Sequence, residues 1–230
     1  MTRIAVLIPA FNEALSIGQV IAAIPKSVEE VIVIDNNSSD ETATEARKKH
    51  ATVLHESRKG YGYACLKGMA YLEKKPPEII VFLDGDYSDF PEELDKIVSP
   101  ILEGKVNFTL GSRVKSLREI GSLTPQQIFG NALACFLMRL LYQSRFTDLG
   151  PFRAIRWETL QSLEMQDKTY GWTVEMQLKI LRRKIAYEEI PVCYRKRIGV
   201  SKVSGTVKGT VMAGYKILMW IGTFYFSGWK

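Results

Sequence analysis

The sequence is poor in cysteine. Its three cysteines, Cys65, Cys135 and Cys193, are odd in number, lie in apolar stretches and show no CxxC spacing. They therefore indicate neither a disulfide framework nor a zinc site, and we expect a reducing compartment, the cytoplasm. The first apolar run, residues 4–8, lacks the basic region, the longer apolar stretch and the cleavage site of a secretory signal, so none is expected.

Internal repeats and Pro/Gly/Ser-rich linkers are also missing. With 230 residues, 46% of them apolar, the chain can bury one sizeable core and is neither disordered nor fibrous. We expect one folded domain, residues 1–206, followed by an apolar helix, residues 207–230.

Acidic residues are scarce toward the C-terminus. From Lys179 onward there are eleven Lys or Arg but only two Glu, a net charge of +9, so the first 178 residues carry −3 of the total +6. Such a tail suits phosphates and anionic lipid headgroups, whereas RNA binding usually needs basic residues interleaved with stacking aromatics. We expect no nucleic-acid partner.

Short apolar runs alternate with helical patterns. The runs 4–8, 31–34, 52–55 and 79–83 predict strands, and the segments 16–24, 42–49 and 63–74 predict helices between them. Because the runs are continuously apolar, they are typical of parallel strands covered on both faces. The pattern predicts an α/β fold with a doubly wound, mostly parallel sheet and ligands at the carboxyl ends of the strands. Further predicted helices are 91–102, 125–142 and 173–183, and further predicted strands are 108–110, 152–155 and 186–194.

The C-terminal segment has no long hydrophobic run. After Lys216 it has thirteen uncharged residues, fewer than the ~18 that usually cross a bilayer. Trp220, Tyr225 and Trp229 beside lysines favour an amphipathic helix at a membrane interface. The alternative is a helix that packs on the domain or on a second subunit of a homodimer.

Polar residues follow each of the first four predicted strands, at 9–13, 35–40, 55–58 and 84–86. The ends of parallel strands meet at one edge of a sheet, so these residues predict a binding site. Asp35 closes a buried strand, where its carboxylate can accept hydrogen bonds from a nucleobase. Asp84 and Asp86 flank Gly85, which allows a close approach of ligand, and two carboxylates this near favour a hard cation such as Mg²⁺ or Mn²⁺.

Several motifs are similar to those of one enzyme family. The first two strand ends read Ile8-Pro9-Ala10-Phe11-Asn12-Glu13 and Val33-Ile34-Asp35-Asn36-Asn37-Ser38-Ser39-Asp40, and Gly60-Tyr61-Gly62 begins the third helix. With Asp84-Gly85-Asp86, they resemble the family 2 glycosyltransferases of the GT-A fold, in particular the polyprenyl-phosphate mannosyl and glucosyl transferases. The resemblance covers nearly the whole chain.

The resemblance implies a metal-assisted nucleotide-sugar site. Asp84 and Asp86 would bind Mg²⁺ or Mn²⁺, and Ser88 stands where some relatives have a third ligand. The donor is a UDP- or GDP-sugar, and the sequence does not distinguish the two. The other implied donor-binding residues are Pro9, Ala10, Asn12, Glu13, Asp35, Gly60, Gly62 and Gly85.

Basic residues further along match motifs of the same family. Arg113 follows the fifth predicted strand, and Arg153 ends a Gly-Phe-Arg segment that Pro151 interrupts. The 196–202 segment resembles an Arg-x-x-Gly-x-Ser-Lys motif, with a lysine in the first position and arginines on either side of it. Arginine binds phosphate by paired hydrogen bonds and lysine as a point charge. The implied phosphate-binding cations are Arg113, Arg153, Arg197 and Lys202.

The expected reaction is an inverting sugar transfer to a polyprenyl phosphate, with Asp86 and Arg197 acting on the diphosphate. An anionic acceptor needs no protein base, because positioning and charge neutralisation then provide the rate. A soluble hydroxyl acceptor or glycan would need one, for which Asp148 is the first candidate and Glu175 the second. A non-catalytic nucleotide-sugar binder or membrane scaffold is the alternative from another class. We expect a cytoplasmic protein, peripheral on the cytoplasmic face of the membrane if its tail binds lipid.

Overall fold

The computed structural model describes residues 2–201 and 207–226. Lys202, one of the predicted phosphate-binding residues, lies outside these ranges. Among the described helices, none combines the length and apolar character that a bilayer span requires.

Seven strands form a single sheet with the order β3-β2-β1-β4-β6-β5-β7. Every strand is parallel to its neighbours except β6, which is antiparallel to both β4 and β5. The prediction of an α/β fold with a mostly parallel sheet is therefore confirmed. The strands are β1 (Ile4–Ala10), β2 (Glu30–Asp35), β3 (Thr52–His55), β4 (Ile79–Phe82), β5 (Phe108–Ser112), β6 (Arg153–Arg156) and β7 (Tyr187–Pro191).

Helices cover both faces of this sheet. They are α1 (Ile17–Ala23), α2 (Thr42–Lys48), α3 (Tyr61–Leu72), α4 (Leu94–Leu102), α5 (Pro125–Tyr142), α6 (Trp157–Leu163), α7 (Trp172–Arg182) and α8 (Val207–Phe226). Successive residues of β1 point to opposite faces, so Leu7 joins the core under α3, α5, α7 and α8, while Ile8 joins the core under α1 and α4. Both cores are apolar, which explains the unbroken apolar strands.

The C-terminal helix α8 packs on the domain, against α5 and α7. Its Ile221 and Phe224 are buried. The Tyr142 hydroxyl of α5 donates to the Ile221 carbonyl at 2.6 Å, and Arg182 Nη1 of α7 donates to the Phe224 carbonyl at 3.3 Å. The packing alternative therefore accounts for one side of this helix, and its opposite side is exposed.

A candidate active site at the strand ends

The carboxyl ends of β1, β2 and β4 meet at one edge of the sheet, as expected from the parallel topology. Ala10 of β1 pairs with Asp35 of β2, and the Asn36 amide donates to the Ala10 carbonyl at 2.8 Å. Asp84 and Asp86 follow β4, which lies on the other side of β1. Four segments distant in sequence thus converge, including the loop that carries Arg197.

Asp86 is buried and held by three groups. The Ser88 amide and hydroxyl both donate to its Oδ1, at 2.9 and 2.5 Å. Its Oδ2 forms an ion pair with Arg197 Nη1 at 3.0 Å. Ser88 is itself buried, so in this structure its hydroxyl orients Asp86.

Asp84 is half-buried and has no hydrogen bond or ion pair with another side chain among the residues described. Burial, followed by the charge of Asp86, raises its pKa to about 7. The charges of Arg197 and Arg113 act on Asp84 but do not offset these effects, and two carboxylates with a nearby hydroxyl offer the oxygen ligands that Mg²⁺ and Mn²⁺ prefer. No group of three His, Cys, Asp or Glu suited to a metal occurs within the described ranges. The residues therefore fit a divalent cation only if a donor's phosphates would supply the remaining ligands.

Arg197 connects two strand ends. Its Nη2 donates to Glu13 Oε1 at 2.8 Å, in addition to the contact with Asp86. The Ile198 amide also donates to the Asp86 carbonyl at 2.9 Å, which fixes the loop along this segment. The neighbouring Arg195 stacks instead on the rings of Tyr87 and Phe90 at 3.7 Å. Arg197 is thus the arginine of the predicted motif that faces the carboxylates.

The residues expected to bind the nucleotide lie around the end of β2. Asn12 receives a hydrogen bond at its Oδ1 from the Ser39 amide at 2.8 Å, and its own amide donates to Ser38 Oγ at 3.0 Å. Asp35 is buried, and its Oδ2 lies 3.2 Å from His55 Nδ1. Pro9 and Ala10, the last residues of β1, lie beside β2. These contacts hold the polar ends of β1 and β2 together, and β4, which leads to Asp84, lies on the other side of β1.

Two buried polar residues of the site, Asn36 and Asp89, are not among the binding residues predicted from the sequence. The Asn36 side chain accepts from the Gly60 amide at 2.8 Å and donates to the Arg58 carbonyl at 2.7 Å. Asp89 is 2% exposed, and burial, with the charges of Asp84 and Asp86, raises its pKa well above the usual range. Both residues lie in the polar segments that follow β2 and β4, and this position is the sequence feature that could have identified them.

The glycines that begin α3 allow a close backbone contact. A Cβ atom at Gly62 would lie 2.0 Å from the Asp167 carbonyl oxygen, and one at Gly60 would lie 2.2 Å from that of Lys168. The Tyr63 amide donates to the same Lys168 carbonyl at 3.1 Å. Gly60 and Gly62 thus fit α3 against the 167–168 segment, and Gly85 has only ordinary contacts around its Cα.

Replacing Gly62 by Ala is expected to destabilise the protein by about 1–3 kcal/mol, because backbone must move to admit the methyl group. Gly130→Ala in α5 is the matched control, since no atom lies within 4 Å of its would-be Cβ. Urea unfolding of the two variants measures the difference. Equal stabilities would contradict the packing role of Gly62.

A hydrogen-bonded chain links this loop to α8. Asp167 Oδ2 accepts from Trp220 Nε1 at 2.7 Å and lies 3.5 Å from Lys216 Nζ. Asp167 Oδ1 accepts from the Gly171 amide at 3.0 Å. Because the Asp167 carbonyl lies against Gly62, α8 supports the loop that packs on the start of α3, where the predicted donor-binding glycines Gly60 and Gly62 lie.

Replacing Trp220 by Phe is therefore expected to raise the donor KM several-fold. The ring that packs on Phe224 is kept, while a hydrogen bond to a charged group, about 1.5–3 kcal/mol, is lost. Leu218→Ala on the exposed side of α8 serves as the control. A donor KM equal in both variants and wild type would show that α8 does not support the loop.

Arg113 and Asp148 form a buried bidentate pair. Arg113 Nε donates to Asp148 Oδ2 at 2.8 Å and Nη2 donates to Oδ1 at 2.6 Å. The backbone amides of Arg113 and Leu149 also donate to the carboxylate, each at 2.8 Å. Burial opposes ionisation, but the charge and hydrogen bonds of Arg113 outweigh it and lower the pKa of Asp148. The carboxylate of Asp148 thus already accepts four hydrogen bonds, which argues against a role as general base.

Glu175 lies inside the protein. It is fully buried, its Oε1 forms an ion pair with Lys179 Nζ at 2.8 Å, and its Oε2 accepts from the Asp167 amide at 2.8 Å. The carboxylate thereby holds the 166–167 backbone. This position argues against contact with an acceptor.

Arg153 is buried as well, with 1% exposure. Its Nη1 donates to the Thr173 carbonyl at 3.1 Å and its Nη2 to the Gly150 carbonyl. Burial lowers its pKa to about 10. The guanidinium braces the turn before β6, so in this structure Arg153 does not face a substrate phosphate.

A cavity of about 250 Å³ lies beside Arg113. Its lining combines cations with apolar side chains. The loop that carries Arg118 is joined through a bridge with Tyr194 to Asp89, three residues after Asp86. The lining residues are Ser112, Arg113, Val114, Lys115, Arg118, Leu123, Ile128, Asn131, Ala132, Thr147 and Asp148.

Comparison with known proteins agrees with this fold. The model of Glycosyl transferase family 2 matches residues 5–190. An uncharacterized glycosyltransferase of Mycobacterium tuberculosis is 32% identical over 213 residues, covering 91% of this chain and 94% of that relative. The undecaprenyl-phosphate mannosyltransferase of Micrococcus luteus is 28% identical over 223 residues, covering 90% of each. The glucosyl-3-phosphoglycerate synthase of M. tuberculosis, solved with Mn²⁺, UDP and phosphoglyceric acid, superposes with a TM-score of 0.77 at 22% identity, over 96% of this chain and 79% of that one.

The last similarity shows the fold alone, while the family match and the 32% identical relative cover most of the chain. The chain belongs to glycosyl transferase family 2.

Proposed function

We propose that the chain is a metal-dependent, inverting glycosyltransferase that moves a sugar from a nucleotide-diphospho-sugar to a polyprenyl phosphate. The observation that carries this proposal is the cavity beside Arg113, because it joins cations and apolar side chains in one space. A phosphate attached to a hydrocarbon chain presents the same two surfaces.

At the donor end, Asp84 and Asp86 would hold Mg²⁺ or Mn²⁺ together with the diphosphate. The bound ion would supply Lewis-acid neutralisation of the departing nucleoside diphosphate. Arg197, fixed by Glu13 and Asp86, adds a second positive charge on the same group. Asn12 and Asp35 shape the pocket for the nucleoside.

At the acceptor end, Lys115 and Arg118 are the cations available for a phosphate. Arg113 is already paired with Asp148, whereas neither Lys115 nor Arg118 forms an ion pair with any residue in the described ranges. Val114 and Ile128 line the same cavity and would contact the first isoprene units.

The reaction then needs no proton transfer. An anionic oxygen of the acceptor phosphate attacks the anomeric carbon of the donor sugar from the face opposite the departing nucleoside diphosphate. The bond from that carbon to the diphosphate oxygen breaks, and its electron pair leaves with the nucleoside diphosphate. Asp148 is paired with Arg113 and Glu175 is buried, which agrees with a reaction that needs no base. The M. luteus relative, whose name is undecaprenyl-phosphate mannosyltransferase, agrees with a lipid phosphate as acceptor.

A soluble phosphorylated acceptor is the second candidate. Lys115 and Arg118 would bind its phosphate equally well, and the structures of similar fold contain phosphoglyceric acid. The apolar part of the cavity would then have no counterpart on the acceptor.

A panel of UDP- and GDP-sugars, each incubated with Mn²⁺ and either a detergent-solubilised polyprenyl phosphate or phosphoglyceric acid, separates these candidates by product mass. We expect a glycosylated polyprenyl phosphate from one donor. We also expect Lys115→Ala/Arg118→Ala to raise the acceptor KM by at least about tenfold, from the ~1.5–3 kcal/mol of one charged hydrogen bond. The polyprenyl phosphate assignment would be refuted if product formed only with phosphoglyceric acid. It would also be refuted if neither acceptor gave product.

A further inference from the structure

The outward sides of α5 and α8 are apolar and unusually exposed. Six large apolar side chains on them are between 58% and 85% exposed. A surface of this kind on a folded domain marks a binding site for an apolar partner. These residues, which we call the apolar outer face, are Phe129, Phe136, Leu140, Val211, Tyr215 and Phe226.

The six side chains form one surface. On α5 the exposed positions 129, 136 and 140 follow the helical period, while Ala134, Cys135 and Met138 point into the core. The two helices lie side by side, because the rings of Tyr142 and Tyr225 meet edge to face at 6.2 Å. The outward side of one helix therefore continues into that of the other.

The charge around this face is of one sign. Neither α5 nor α8 contains an Asp or Glu. Lys216 of α8 faces Asp167 of the domain, 3.5 Å away, whereas Arg139 of α5 lies on the outward side. Arg139 is exposed and has no ion pair with a described residue. An apolar surface that carries a cation and no carboxylate suits an anionic bilayer, because aromatic and aliphatic side chains enter the headgroup region while the cation meets a lipid phosphate.

The cavity described above borders this face, because α5 contributes Ile128, Asn131 and Ala132 to its lining. Ile128 lines the cavity and is 43% exposed at the surface, next to Phe129. On the other side of the cavity, the loop that carries Lys115 and Arg118 also carries Ile120, which is 93% exposed. Apolar side chains thus border the cavity on two sides.

We propose that the apolar outer face binds an anionic lipid bilayer and so brings the cavity to the membrane surface, where a lipid-linked phosphate can enter it. This inference rests on the proposed function and deepens it, because it states from which side the acceptor arrives. Helix α5 provides half of the contact, and α8 the other half.

Flotation with phosphatidylcholine vesicles, with and without phosphatidylglycerol, tests the inference. We expect the wild type to float with the anionic vesicles, and Phe129→Gln/Phe136→Gln to reduce the floating fraction at least about tenfold, since two large apolar side chains lose their contact with lipid. The matched control is Leu102→Gln, because Leu102 is also exposed but lies on α4, which packs on the opposite face of the sheet.

Sugar transfer to a detergent-solubilised polyprenyl phosphate is measured on the same variants and should be unchanged. Its failure in the wild type would refute the proposed function. Flotation that is equal for wild type and the double variant, or equal for both kinds of vesicle, would overturn the membrane inference alone. A lipid-free dimer that the double substitution dissociates would also overturn it and assign the face to self-association.

Discussion

Replacing Asp84 by Asn is expected to lower kcat/KM for sugar transfer by about 10²–10³-fold or more, the usual loss when one preorganised electrostatic group is removed. The substitution keeps the shape of the side chain but removes the negative charge that would bind the metal. Calorimetric titration with the nucleotide sugar, with and without Mn²⁺, should show that the metal no longer increases donor affinity. Glu73→Gln, a charge change on an exposed side chain, is the control.

The same substitution should leave the metal-free protein as stable as the wild type or more stable. The pKa of Asp84 is raised to about 7 in the folded state, above its unfolded value, so its ionisation opposes folding increasingly as the pH rises from about 4 to 7. Asn removes that cost. Unchanged metal-dependent affinity in Asp84→Asn would show that the carboxylate does not bind the ion, whereas a large loss of stability would show a structural role.

The second large effect is expected at the Arg113 and Asp148 pair. Asp148→Ala should destabilise the protein by about 3–5 kcal/mol, because it leaves a guanidinium buried without its partner. The side chains are only 11% and 6% exposed. Urea unfolding at pH 7 measures the loss. Since the pKa of Asp148 is lowered in the folded state, the stabilisation is present above the unfolded pKa near 4 and is lost as the pH falls through the folded value.

Asp148→Asn distinguishes this structural role from general-base catalysis. Asn retains the size of the side chain but not the charge that neutralises Arg113, so stability should fall as it does for the alanine variant. The double variant Arg113→Met/Asp148→Leu should regain much of that stability, because no buried charge is left unpaired. A fully stable Asp148→Asn protein that has lost turnover would instead identify Asp148 as a base.

Much of the fold is predictable because its signals are local. Continuous apolar runs predict the buried parallel strands, and the helical segments between them predict the crossovers. The orientation of β6 is not local, since the 152–155 run looks the same in either direction and its reversal depends on the path of the chain after α5. Helix α6 is not evident from the sequence because it begins directly at the end of β6, with Arg156 as its N-cap and no side-chain cap, so that no local signal marks its start.

The candidate site also contains some residues that a local sequence signal predicts and others that none predicts. Residues at strand ends, such as Asp35 and Asp84, are brought to one edge by the sheet alone. The pairing of Arg113 with Asp148, 35 residues later, has no local signal. Glu175 and Lys179 did have one, because a spacing of four on a helix favours an ion pair, and this pattern indicates a structural role for Glu175.

The proposal that the sugar is transferred to a phosphate and not to a hydroxyl can be tested with two matched acceptors, a polyprenyl phosphate and the polyprenol without its phosphate. The initial rate of transfer is measured on each. With donor and Mn²⁺ held constant, we predict transfer to the phosphate with inversion at the anomeric carbon, and no transfer to the alcohol. The two base candidates, Asp148 and Glu175, are paired and buried, and Lys115 and Arg118 would lack an anion. Comparable rates on the two acceptors would contradict the account.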